Sequence, residues 1–296
     1  MAPGLESEGR EAEPDVEVNI VTGSALASQT GKVDDQQAPA ASSALRAVRT
    51  RNRFELKYLL SREQAATLLE EAAPYLEDDS HGAGTSYAIT SLYYDTPDLR
   101  CYWEKIEGIK YRRKLRIRHY EGHAELQPDT PVFVEIKQRV NRTIQKRRAR
   151  FPYAAALALC RGAEIEHDPK QAAFVGEVQA FVDVHRLQPV SVVSYFRRAL
   201  VGTAHDPGLR VTFDTDIRYR SVDLDLESRN PGRHMVHPER VVLEVKANDR
   251  IPRWVAALIG AHNTQIVRIS KYCHSIEVAG RAPRSVFHIP ETETRS

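Results

Sequence analysis

The feature that most constrains this chain is a set of alternating segments whose polar parity is dominated by cations. Between Lys110 and Arg150 stand 13 bases (Lys110, Arg112, Arg113, Lys114, Arg116, Arg118, Lys137, Arg139, Arg142, Lys146, Arg147, Arg148, Arg150) against four acids, Glu121, Glu125, Asp129 and Glu135. Side chains alternate between the two faces of a strand, so Arg112, Lys114, Arg116 and Arg118 line up on one side, with Leu115 and Ile117 on the other. Glu135, Lys137 and Arg139 alternate with Val134 and Ile136, and Lys146, Arg148 and Arg150 share a parity. The pattern recurs elsewhere. Arg53, Glu55 and Lys57 alternate with Phe54, Leu56 and Tyr58; Arg210, Thr212 and Asp214 with Leu209, Val211 and Phe213; Glu244 and Lys246 with Leu243 and Val245.

Like charges facing each other across neighbouring strands are destabilising. One such strand reads as a solvated outer face, but a solvated face normally interleaves both signs and carries Thr, Ser and Gln. Several together point to a sheet closed with its polar face inward, as a cationic tunnel holding a few carboxylates. That lining suits a phosphate chain with a divalent ion: Arg forks grip phosphate oxygens, Lys supplies point charge, and Glu offers the hard oxygen that Mg²⁺ or Mn²⁺ prefers.

Periodicity predicts strands over 53–59, 87–95, 110–120, 132–140, 142–151, 190–201, 209–214 and 241–247. Ser61 with Gln64 forms a capping box opening a helix that ends near 74–77, and Pro169 opens a second over 170–187. Shorter helical stretches fit 153–160, 252–262 and 270–278. The expected fold is α+β, an eight-stranded antiparallel β-barrel with flanking helices.

Charge divides the chain. Residues 1–45 hold eight acids and two bases, leaving 40 bases and 32 acids in 46–296. The first segment has one aliphatic patch, Val16 to Val21, too little to offset its ordering entropy. Residues 1–48 therefore read as a disordered acidic tail, 49–279 as the folded domain and 280–296 as a C-terminal tail. No apolar run reaches the roughly 18 residues of a membrane span, and the start lacks a secretory signal, so a cytoplasmic protein without membrane insertion is expected. Cys101, Cys160 and Cys273 are odd in number and far apart, which suggests neither a disulfide framework nor a CxxC-type metal site.

RFELKY (53–58), SLYYDTPD (91–98), KLRIRHY (114–120), FVEIKQR (133–139), SYFRRAL (194–200), LRVTFDT (209–215), LEVK (243–246) and RISKY (268–272), in this order, resemble the vacuolar transporter chaperone (VTC) domain. That domain is the polyphosphate polymerase branch of the triphosphate tunnel metalloenzymes, related to the CYTH proteins. The resemblance spans about residues 50–277 and is to the stand-alone bacterial type, without the phosphate-sensor and membrane domains of eukaryotic relatives. It implies a phosphotransferase: an eight-stranded tunnel in which metal-bound ATP donates its γ-phosphoryl to a growing inorganic polyphosphate chain, with Mn²⁺ or Mg²⁺ as cofactor.

By position, the resemblance makes Lys57, Arg116, Arg118, Lys137 and Lys146 tunnel bases that hold phosphates. Arg197 and Arg210 match the arginines on the transferred phosphate, Ser270 and Lys271 the SK pair of a closing helix, and Glu244 the metal-binding glutamate, helped by Glu55 or Glu135. Arg268 stands where the family often has Lys. Arg53 replaces the first acid of the superfamily's ExExK, leaving ExK and removing one potential metal carboxylate. An anionic nucleophile needs no general base, and Arg197→Ala is expected to abolish synthesis with little loss of fold. The resemblance also allows a separate membrane partner that receives the product.

Other readings stand beside this one. His234 and His237 form an HxxH pair without a third ligand, Asp214 and Asp216 form a DxD that neighbouring arginines can hold without an ion, and Asp95 reads as a turn former before Pro97. Trp103 and Trp254 are single aromatics and make no base-stacking platform, which argues against nucleic-acid binding. A tripolyphosphatase or nucleoside triphosphatase of the same fold, or a non-catalytic polyphosphate-binding module, are the alternatives in function.

Overall fold

The computed structural model describes residues 17–21, 53–80, 85–120, 126–141 and 143–282. Among these residues twelve strands form one antiparallel sheet. In chain order they are β1 (Glu17–Val21), β2 (Arg53–Ser61), β3 (Leu76–Asp78), β4 (Tyr87–Asp95), β5 (Tyr111–Tyr120), β6 (Pro131–Val140), β7 (Thr143–Pro152), β8 (Gln188–Gly202), β9 (Arg210–Arg220), β10 (Arg233–His234), β11 (Arg240–Asn248) and β12 (Gln265–Ile266). The helices are α1 (Arg62–Ala72), α2 (Arg100–Ile106), α3 (Tyr153–Leu159), α4 (Ala172–His185), α5 (Arg253–Ala261) and α6 (Lys271–Val278).

The main path runs β1-β7-β6-β5-β4-β8-β9-β11-β2-β12, with β10 on β9 and β3 on β8. Its eight long strands are those the alternation predicts, in hairpin-like neighbour order. The expected closure is corrected: the sheet is open. Among the described residues no ladder joins β7 to β2; β1 pairs with β7 at one end and the two-residue β12 with β2 at the other. Closing a barrel requires matched tilt and stagger at the two meeting edges. Here each edge is instead covered by another short strand, the other way to occupy exposed edge groups.

Glu17–Val21 lies inside the segment read as a disordered tail, so its aliphatic patch supplies an edge strand. The rest of 1–48 and residues 283–296 lie outside the described residues, as do Glu121, Glu125 and Arg142.

The helices decide which face is which. Leu115, Ile117, Val134 and Ile136 of β5 and β6 pack with Ala149 and Phe151 of β7 against α3 and α4 through Ala156, Leu159, Phe174, Val178 and Phe181. Tyr58, Leu60, Val211, Phe213, Leu243 and Val245 pack against α1 and α5 through Ala65, Leu68 and Val255. The apolar parity is therefore the outer, helix-covered side, and the cationic parity is the inner, concave side. The curl is deep enough that Lys137 of β6 faces Glu55 and Lys57 of β2 and Glu244 and Lys246 of β11.

Helix α2 escapes periodicity because its start is held from a distance. Leu99, at φ 60°, gives it no side-chain cap. Instead Asp95 accepts from the amides of Cys101 (2.8 Å) and Tyr102 (2.9 Å), and the Thr96 hydroxyl accepts from that of Arg100 (2.8 Å). Asp95 also accepts from its neighbour's amide and from the Tyr272 hydroxyl of α6. It is thus a buried anchor joining β4, α2 and α6, and more than a turn former.

Candidate functional site

Helix α6 plugs one region of the concave face, seating Tyr272, Cys273 and Ile276 among Tyr93, Val193, Tyr195 and Val242. Ser270 caps it, accepting from the Cys273 amide at 3.5 Å, and so fixes Lys271 at the helix start. Around that start the polar side chains form four linked groups, each built on one carboxylate.

Asp214 of β9 is fully buried and takes a two-pronged bond from Arg197 of β8, at 2.7 and 2.8 Å, and an ion pair from Lys271. Burial pushes its carboxyl up, but Arg197 and then Lys271 outweigh this and bring it down to about 2. The DxD reading resolves in favour of cation partners, since Asp216 is held by Arg218 and, at 2.7 Å, by His234. Of the HxxH pair, His234 is turned to Asp216 and His237 Nδ1 accepts from the Glu239 amide at 3.3 Å.

Glu244 and Glu55 form the second and third groups. Glu244 pairs with Lys246 and, at 4.0 Å, with Lys57, while Glu55 pairs with Lys57 at 3.1 Å. Burial acts to raise both acids; Lys246 and Lys57 hold Glu244 well below the carboxylate range, and Lys137 leads the lowering of Glu55, with Glu244 opposing it. Lys57 also donates to the Ile269 carbonyl at 3.1 Å, which ties β2 to the approach of α6. Thr212, beside Glu244 on β9, is 1% exposed and its hydroxyl has no partner.

Glu135 centres the fourth group, 1% exposed and gripped by Arg116 at 2.5–2.6 Å and by Lys146 at 2.8 Å. Arg116 donates onward to the Tyr93 hydroxyl (3.0 Å), and Arg118 to Ser91 (3.0 Å) and Tyr195 (3.3 Å). Burial pushes the Tyr93 phenol up, but Arg116 and Arg118 draw it down to about 8. Next to this network Lys114, Lys137 and Lys146 stand side by side on three neighbouring strands. Lys137 is exposed to water and yet desolvated enough by the surrounding wall to fall below the ordinary lysine value, so the concave space is deep and wet.

The structure therefore brings together Lys57, Arg116, Arg118, Lys137, Lys146, Arg197, Lys271, Glu244, Glu55 and Glu135. Arg210, opposite Lys246 on β11, pairs with Asp79 at 2.9 Å, and Arg268 is exposed, with no ion pair among the described residues. Arg197→Ala would leave Asp214 buried beside a single lysine, so a loss of stability is expected along with the loss of activity. Sequence reasoning missed Lys246, Lys114, Tyr93 and Ser91 as part of the site, although all four carry the inward parity of their strands.

A family model described as the VTC domain matches residues 52–279. This chain belongs to the VTC domain family. Similar proteins include vacuolar transporter chaperone complex subunit 4 of Schizosaccharomyces pombe, 26% identical over 230 residues, 64% of this chain and 31% of that protein. The Trypanosoma cruzi subunit 4 is 26% identical over 231 residues, 64% of this chain and 28% of its own length. This chain spans less than a third of those relatives. A solved structure from Bacillus halodurans aligns at 13% identity over 73% of this chain and 92% of its own, with a TM-score of 0.43. No helix among the described residues of this VTC domain is long and apolar enough to cross a membrane.

Proposed function

We propose that this VTC domain is a metal-dependent polyphosphate polymerase that transfers the γ-phosphoryl of ATP to inorganic polyphosphate. The observation that carries the reading is the concave face itself, where rows of Lys and Arg face water and each of the four carboxylates is already countered by bases. A polyanion is the ligand that relieves the remaining like-charge repulsion.

A divalent ion fits this donor set in a limited way. Glu244 lies close enough to Glu55 to raise it, and the buried, partnerless Thr212 hydroxyl beside Glu244 is a spare hard oxygen. One or two carboxylates with substrate phosphates completing the shell is how Mg²⁺ is usually held, and Mn²⁺ accepts similar oxygen donors. When bound, the ion supplies charge neutralisation of the phosphate oxygens. Glu135, ion-paired with both Arg116 and Lys146, is better suited to orient those two bases than to ligate.

Phosphoryl transfer asks mainly for positioning and electrostatic stabilisation. Asp214 holds Arg197 by Nε and Nη2, which leaves Nη1 for a phosphate oxygen. Lys271 sits on the same carboxylate, so both cations are aimed before any ligand arrives. Arg116 and Arg118 are fixed by Glu135, Ser91 and two tyrosines, while the exposed Lys137 offers its charge to a passing chain. The attacking terminal phosphate is anionic and needs no general base. On this reading the catalytic unit is 49–279, with Glu17–Val21 of the acidic 1–48 segment laid along its β7 edge, and the protein works in the cytoplasm beside a membrane partner that takes the product.

The test is incubation of purified protein with ATP and Mn²⁺, with and without a short polyphosphate primer, resolving products by gel and assaying free phosphate. The expected result is a ladder of long chains with ADP release, lost in Glu244→Ala. Free phosphate without a ladder makes the protein a triphosphatase, and neither product makes it a binding module.

A further inference from the structure

Outside the concave face, a small cavity of about 50 Å³ lies where α2, the start of β5 and the end of α4 meet, lined by Arg100, Cys101, Glu104, Arg113, Phe181 and His185 among others. Arg113 is on the helix-covered side of β5, so this cavity is separated by the sheet from Lys114 and Arg116. Two guanidinium groups converge here on one imidazole. Arg100 Nη1 lies 3.4 Å from His185 Nδ1, and Arg113 Nη2 lies 3.2 Å from His185 Nε2.

That arrangement fails a hydrogen-bond count. A neutral imidazole has one N–H and one acceptor nitrogen, and an imidazolium has two N–H groups. Guanidinium is a donor only. In every protonation state at least one arginine N–H therefore meets a ring nitrogen that cannot accept from it, and leaving donors unmatched in a partly buried site is costly. The ring cannot turn away easily, since it packs edge-on against Phe181, one helical turn earlier, at 5.3 Å. Arg113 is fixed as well, stacked over Phe181 at 4.0 Å, and has no carboxylate partner among the described residues. Glu104 takes only the Nε of Arg100, at 3.0 Å. Two arginines against one glutamate leave a net positive charge around a neutral histidine.

We propose that this cavity is a binding site for a single phosphate-class oxyanion, held by Arg100, Arg113 and His185 and distinct from the concave face. An oxyanion accepts from both guanidinium groups and from the imidazole N–H, which resolves the donor conflict. Size agrees: with a water needing about 10–15 Å³, the space holds a few waters or one tetrahedral anion, and no nucleobase. Arginine forks are the side chains suited to such oxygens. The site commits to orthophosphate chemistry and makes no use of the polymerase reading.

The test labels the histidines with ¹⁵N and follows the His185 ring in the full chain during titration with inorganic phosphate. Charged and titratable groups facing that ring are Arg100 and Glu104 from α2 and Arg113 and Tyr111 from β5, with the Cys101 thiol behind. Burial and both arginines hold the imidazole below its ordinary value, Glu104 opposing, so a bound anion should raise it again. The expected result is a saturable shift of the His185 signals with a raised ring pKa. Binding should weaken about tenfold or more in Arg113→Gln and in the exposed Arg100→Gln, the loss of one charge-assisted bond. It should persist in Lys137→Met. A ring that ignores phosphate overturns the proposal. So does a response unchanged in both arginine variants, or one abolished by Lys137→Met, which would place the anion on the concave face.

Discussion

Asp214 shows how much one carboxylate organises. Breaking a buried ion pair strands the remaining charge, so Arg197→Ala should lose about 3–5 kcal/mol of stability as well as activity, read by urea unfolding. The pH dependence has a definite sign. Because the folded pKa of about 2 lies below the ordinary 3.8, the pair stabilises above the ordinary value, and that contribution disappears as pH falls from about 4 towards 2. Asp214→Asn should flatten this part of the acid-unfolding curve; an unchanged curve would show that the carboxylate is not charged in the fold. Tyr93 gives a second check. Spectrophotometric titration should find one phenol ionising near 8, missing in Tyr93→Phe, because Arg116 and Arg118 stabilise its anion.

At the scale of elements, α6 and α2 depend on the same buried residue. Asp95, 0% exposed, accepts from backbone amides at the start of α2 and from the Tyr272 hydroxyl of α6, so it both satisfies the α2 end and ties α6 to it. Hydrogen bonds to a charged group are worth about 1.5–3 kcal/mol each. Tyr272→Phe, which removes one of them, should therefore cost about that much and speed amide exchange in α6 while leaving α1 and α5 protected. Uniform loss of protection would mean that α6 is not a separable plug. The strands were legible because their period is two and their apolar parity is consistent. Helix α2 was not, because its cap is supplied by residues four to seven positions away, which no local pattern of Ser, Asp or Asn at the first turn reveals.

For the whole molecule, the concave face stores repulsion between rungs of bases, such as Lys114, Lys137 and Lys146 side by side. A polyanion bound only to the folded state should raise the melting temperature with concentration, equivalent to about 2.7 kcal/mol at one hundred times its Kd. The effect should shrink with added salt, since these are charge contacts in a wet space. A melting temperature indifferent to polyphosphate would remove the charge argument for the proposed function.

The eight long strands, the capping box of α1 and the segregation of cations to one parity are readable from the residues alone, because each is written in positions two to four apart. Alternation in any one strand does not tell a solvated face from an enclosed one, and only the number of cationic strands pointed to the inward side. That was decided by α1, α3, α4 and α5, which bury Leu115, Val134, Leu243 and their neighbours and so turn the bases inward. Nor could alternation decide closure, which depends on tilt and stagger accumulated over the whole sheet. The pairing of Arg197 with Asp214 and Lys271, and the meeting of Arg100, Arg113 and His185, join residues 17 to 85 positions apart, and only the folded chain brings them within reach.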